Sequence, residues 1–174
     1  MAQEGGEYQN GTGAENGSSK GPVFSALRPK LVVEAPKAAD AVAFYKAAFG
    51  AEEVERSNHP KRKADQELPL ILFSRLRLGA VELLVADETE ESGAGAKSVE
   101  ALGGASFVLC LETDDVQAAV ASAVKAGAVV AEEVSGEGRC CCRGHTTKLK
   151  DPFGFVWAIG SPSKAAAVEA DGQA

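Results

Sequence analysis

Nowhere does the chain approach the roughly 18 uninterrupted apolar residues that a membrane-spanning helix requires, which excludes insertion by helices. A basic surplus is missing too: 18 Lys and Arg face 25 Asp and Glu, for a formal charge of −7. Binding to a nucleic-acid backbone draws on counterion release by a basic face, so this balance opposes a nucleic-acid partner. The phosphate-cradling glycine loop, the dinucleotide fingerprint and the Gly-x-Ser-x-Gly elbow are all absent. Histidine is scarce: His59 and His145 are the only two, both in or near predicted loops.

The first residues offer no apolar h-region for a secretory signal. Glu4, Glu7 and Glu15 stand where a transit peptide would be rich in Arg and poor in acid. Residues 1–22 are expected to form a disordered tail, because Gly, Ser, Asn and Glu bury too little apolar surface to offset the entropy of ordering. Residues 162–174 are expected to form a second, since few of them could enter a core. Four cysteines without a secretory signal point to a reducing compartment, free thiols and a cytoplasmic location.

Three of those cysteines are adjacent, at Cys140, Cys141 and Cys142. In an extended segment only Cys140 and Cys142 share a face, and although His145 is near, no second pair completes a zinc knuckle. Oxidation-sensitive strand cysteines are the plainer reading. Pro60-Lys61-Arg62-Lys63 could act as a nuclear address, against the plainer reading of a solvated loop between strands.

What is present suffices for one domain, or for two small ones sharing a core: 174 residues, 45% hydrophobic and 25% charged. Residues 30–35 read as a buried strand ended by Pro36. Ala38, Ala41, Val42, Tyr45 and Phe49 then recur at three- and four-residue steps, predicting a helix that stops at Gly50. Strands are predicted from Glu52 to Ser57, over 68–78 with Leu70, Leu72, Leu76 and Leu78 on one face and Ile71, Phe73, Arg75 and Arg77 on the other, and from Val81 to Val85. The polar, Gly-containing stretch that follows reads as a linker.

After it the plan begins again. A strand is predicted from Phe107 to Leu111, with Asp114 or Asp115 as N-cap of a helix whose face carries Val116, Val120 and Val124 and which stops at Gly127. Ala128–Val134, His145–Leu149 and Phe155–Ile159 read as three further strands, with a loop over Ser135–Gly138. In the last strand the bulky Phe155, Trp157 and Ile159 alternate with the smaller Val156 and Ala158. Setting Gly50 over Gly127 superimposes the two halves at an offset of 77, and the helix faces fit 78 as well.

The stretch "LKDPFGFVWAIG" resembles the closing hairpin of the vicinal-oxygen-chelate superfamily, and "AVAFYKAAFGAE", "GAVELLVAD" and "LETDDVQAAVASAVKAGA" resemble its other characteristic segments. Within the superfamily the Asp-Pro-Phe-Gly turn and the Trp after it are most similar to the PhnB-like branch. The resemblance implies an α+β fold of tandem βαβββ modules forming a curved, cup-shaped mixed sheet with helices outside. The domain would span 23–161, with module one about 28–87, a linker over 88–104 and module two over 105–161.

In metal-using members four cavity-facing residues, usually two His and two Glu, hold a divalent ion. Carried across, those positions fall on Lys30, Glu82, Val108 (or Phe107 at the other offset) and Ala158. Only Glu82 can ligate, since Lys30 presents no acceptor and Val108 and Ala158 are inert. The resemblance thus implies no metal and no other cofactor, and a protein that binds a small molecule. The alternatives are a glyoxalase I-like lyase or extradiol-type dioxygenase with atypical ligands, and an interaction protein with a vestigial cavity. A homodimer is expected, pairing across a twofold to cover open strand edges.

Independently of the family, strand parity sets Lys30, Glu34, Arg75, Arg77, Glu82, Cys110 and Glu112 on the faces opposite the helices. They form either a solvated open face or a polar pocket. In the pocket reading Lys30 pairs with Glu82, and Arg75 and Arg77 are free to meet a carboxylate or phosphate.

Overall fold

The computed structural model describes residues 21–60, 69–90, 95–134 and 143–162. Most of the expected N-terminal tail, the Lys61-Arg62-Lys63 cluster, the Cys140–Cys142 run and the tail beyond residue 162 lie outside the described residues. Strand β1 (Lys30–Val33) is shorter than expected, because a turn begins at Glu34, whose carbonyl accepts the Lys37 N–H at 2.9 Å. Helix α1 (Ala38–Phe49) buries Ala38, Ala41, Val42, Phe44, Tyr45 and Ala48. Lys37 gives its first turn no side-chain cap; the buried Asp87 carboxylate supplies one from outside, accepting the Ala38 N–H at 2.9 Å. Gly50, at φ +67°, closes the helix in the left-handed conformation that costs glycine least.

Strands β2 (Glu52–Asn58), β3 (Ile71–Leu78) and β4 (Val81–Asp87) complete the first module in the order β1-β4-β3-β2, with β1 parallel to β4 and the remaining pairs antiparallel. Ile71 leaves the face on which it was expected with Arg75 and Arg77 and enters the core. It opens β3 beside a register shift, and its N–H is drawn to Asp87 at 2.7 Å.

Part of the expected linker is helical. Ser98 caps the short α2 (Val99–Leu102) through the Ala101 N–H. Glu88 accepts the Ser98 N–H at 2.9 Å and the Lys97 ammonium at 3.1 Å; the Ser98 bonds first, then Lys97, hold its carboxyl down to about 2. The second module then runs β5 (Val108–Glu112), α3 (Val116–Ala126), β6 (Val129–Val134), β7 (Arg143–Lys150) and β8 (Val156–Ser161), in sheet order β5-β8-β7-β6. Of the two aspartates proposed as its cap, Asp115 caps α3 through the Ala118 N–H at 2.9 Å.

Val124 leaves the α3 face on which it was expected and is exposed, whereas Ala123 is fully buried beside the partly buried Val116, Ala119 and Val120. The period explains it: steps of four residues drift by about 40° each, so an eight-residue span leaves the face that an i, i+3, i+4, i+7 pattern keeps. The repeat offset also becomes definite. First strands and helix starts are 78 apart, Lys30 to Val108 and Ala38 to Val116, while the capping glycines are 77 apart because α3 has 11 residues and α1 has 12.

Both sheets turn one face toward a single core that includes Leu31, Leu76 and Val85 of the first and Leu149, Trp157 and Ile159 of the second, with α1 and α3 packed against each other. Tyr45 and Phe49 of α1 lie against the Trp157 ring, with centroids 5.4 and 4.7 Å away. The Asp-Pro-Phe-Gly turn locks this contact. One Asp151 oxygen accepts the Phe153 and Phe155 N–H groups and the other accepts the Tyr45 hydroxyl at 2.8 Å and Trp157 Nε1 at 2.9 Å. Gly154 sits at φ +91°, and a Cβ there would fall 2.9 Å from the Val99 side chain, so the turn demands glycine for two reasons.

Candidate functional site

The face of each sheet opposite the shared core carries the sequence-predicted candidates. In module one the register aligns Lys30, Leu84, Arg75 and Glu55 across the four strands, and Glu82, Arg77 and Glu52 in the next row. Arg75 pairs with Glu55 at 2.9 Å and approaches Glu82 at 4.0 Å, and Arg77 pairs with Glu52. Neither arginine is therefore free in the way the pocket reading required. These pairs are partly solvated, where such contacts contribute little to stability, so they matter here as neutralisation.

Glu82 is held at 2.6 Å by Arg28, which lowers its carboxyl below the usual range despite some opposing desolvation. Arg28 escaped the sequence reading because it precedes the first strand. Extending the parity of Lys30 back by two residues across Pro29 finds it. Leu27, Arg28, Arg77, Val81 and Glu82 line an open recess of about 520 Å³ at this end of the sheet. Glu34 is not on the face. It lies in the turn after β1 and pairs with Lys37.

In module two Val108, Cys110 and Glu112 all point outward on β5 and are exposed. Val108 lies opposite Val156, and Cys110 opposite Ala158. Ala158 shares this face but is buried, flanked by Cys110 and Lys148. A recess of about 640 Å³ opens between the modules, with Phe49, Leu78, Leu111, Glu112, Asp115 and Ile159 in its lining. Sequence reasoning missed it because it arises from α1 meeting α3, a long-range contact without a local signal.

The comparisons with known proteins fit this architecture. Residues 30–88 match the family described as "Glyoxalase At5g48480-like, N-terminal domain", and residues 108–159 match "Glyoxalase At5g48480-like C-terminal domain". The chain belongs to the glyoxalase At5g48480-like family. It is 44% identical over 135 residues to the uncharacterized protein At5g48480 of Arabidopsis thaliana, covering 78% of each chain. The X-ray structure of the At5g48480 gene product matches at 36% identity and a TM-score of 0.62, covering 80% of this chain and 100% of that one.

An uncharacterized protein of Mycobacterium tuberculosis, Rv0887c, is 31% identical over 142 residues, covering 80% of this chain and 76% of its own. The fosfomycin resistance protein FosX of Mesorhizobium loti, at 10% identity and a TM-score of 0.54 over 82% of this chain and 95% of its own, shares the fold alone. The family assignment and the tandem modules place this chain in the superfamily that the motifs suggested.

A divalent ion does not fit the four residues onto which the resemblance carries the ligand positions. Lys30, Val108 and Ala158 offer no donor, and Glu82 is engaged by Arg28. Among the described residues no three His, Cys, Asp or Glu side chains come together as metal ligands. No helix among them is long and apolar enough to cross a membrane.

Proposed function

We propose that this member of the family is a metal-independent small-molecule binding protein acting in the cytoplasm, with its ligand seated on the outer faces of the two sheets. The observation that supports this reading is the occupancy of the family's ligand positions: three side chains that cannot ligate, and a fourth, Glu82, neutralised by Arg28 and approached by Arg75. The competing reading is a glyoxalase-type lyase, which the family's description favours.

Metal analysis of the purified protein, paired with a methylglyoxal–glutathione lyase assay, separates the two. The expected result is no stoichiometric Ni, Zn, Mn or Fe, no lyase turnover, and melting unchanged by added metal or chelator. One equivalent of metal that disappears together with lyase turnover in Glu82→Gln would establish the enzyme instead.

The binding reading includes a second copy of the chain. Strands β1, β2, β5 and β6 each end a sheet with one edge unpaired in the described fold, and such edges invite pairing unless something covers them. A symmetric dimer covers two of them with one interface. Sedimentation at micromolar concentration is expected to give the mass of two chains; a monomer would remove the partner from the site.

A further inference from the structure

We propose that the outer face of module two takes an apolar, preferably aromatic, molecule bearing an anionic group, with Lys150 as its counter-charge. The inference rests on the binding reading above and names the ligand class for that site. Strand register sets Val108, Val156, Lys150 and Val129 side by side across all four strands of the second sheet, on one face. Val108 is 47% exposed and Val129 67%, so the row presents apolar surface to solvent on both sides of a lysine.

The Lys150 side chain differs from its neighbours in having no partner among the described residues. The adjacent row holds Cys110, Ala158, Lys148 and Glu132, and there Glu132 takes the Lys148 ammonium at 2.8 Å. The corresponding arginines of module one are matched by Glu55 and Glu52. The Lys150 ammonium has no hydrogen bond or ion pair to any described residue. In a chain of net charge −7, an unmatched cation within an exposed apolar row is complementary to a molecule that is apolar over its body and negative at one point. The valines supply area, whereas the ammonium selects charge and orientation.

Calorimetry with three probes tests this: 1-naphthoate, its uncharged counterpart 1-naphthalenemethanol, and inorganic phosphate. Naphthoate is expected to bind about tenfold tighter than naphthalenemethanol, the scale of one charge-assisted contact, and phosphate to bind far more weakly than either. Lys150→Gln should erase the preference for naphthoate and leave naphthalenemethanol unchanged, and Lys150→Arg should keep it. Val108→Asn should weaken both aromatics. Circular dichroism confirms that each variant is folded.

Equal binding of the two aromatics, or a preference that survives Lys150→Gln, overturns the ligand class while leaving the binding reading intact. Phosphate binding as tightly as naphthoate would also overturn it, since the apolar row would then have no part. Aromatic binding indifferent to Val108→Asn would move the site to the recess between the modules and overturn this placement. Failure of both aromatics to bind would overturn the inference and leave the binding reading to the metal and lyase test.

Discussion

Replacing Asp151 with Ala is expected to destabilise the fold by roughly 3–5 kcal/mol, enough to consume much of the stability of an ordinary domain. The carboxylate accepts from four donors: two backbone N–H groups of its own turn, the Tyr45 hydroxyl and the Trp157 indole. Asp151 is buried, and in Ala the donors would lose their acceptor with little water to replace it. Asn should fall between Ala and wild type, because its single oxygen can replace one carboxylate oxygen while its NH2 faces donors. Urea denaturation followed by the fluorescence of Trp157, the only tryptophan, measures the loss. A change below about 1 kcal/mol in Asp151→Ala would mean that the turn does not join the modules.

The same site carries a pH signature. Burial pushes the Asp151 carboxyl up, and the bonds from Trp157, Tyr45 and the backbone only partly offset it. The folded state therefore holds its proton to higher pH than the unfolded chain does. Stability from this group is greatest below the ordinary carboxyl value and falls as pH rises through the raised one. Asp151→Asn should remove that downward slope. Burial first, and then the Asp151 charge, keeps the Tyr45 hydroxyl protonated well above its usual range, so it remains the donor throughout.

Much of this architecture is legible in local patterns, and the exceptions share a cause. Period-2 alternation placed Leu109 and Leu111 opposite Val108 and Cys110, and the terminal glycines marked where both long helices end. Ile71 and Val124 depart from the local pattern because parity cannot register a backbone N–H held by a distant carboxylate beside a register shift, or the drift of a 3.6-residue period. The α2 turn was hidden in a glycine-containing stretch, since Glu88 and Gly154 complete it from outside.

The outer face was legible only as a set of residues. Which arginine meets which glutamate depends on strand pairing and on a bulge between Glu53 and Glu55, neither of which has a sequence signature. That is why Arg75 and Arg77 read as free cations when their charges are matched. It is also why Lys150, hidden beside a turn motif, drew no notice.

Asp87→Ala is expected to be nearly as damaging in module one, at roughly 2–4 kcal/mol, and to act through the helix rather than through the junction of the modules. Asp87 ends β4 and is buried; its two oxygens accept the Ala38 N–H and the Ile71 N–H, so one side chain caps α1 and fastens the start of β3. Lys37, the residue in the cap position, provides no alternative. Without Asp87 the first turn of α1 loses its cap in a buried setting, where water cannot serve instead. Hydrogen exchange gives the specific readout. Ala38 and Ile71 amides should lose protection in Asp87→Ala beyond the global loss of stability, and Asp87→Asn should restore only one of them. Protection lost evenly across both sheets, with no excess at these two amides, would show that Asp87 stabilises the core in general and not the entry to α1.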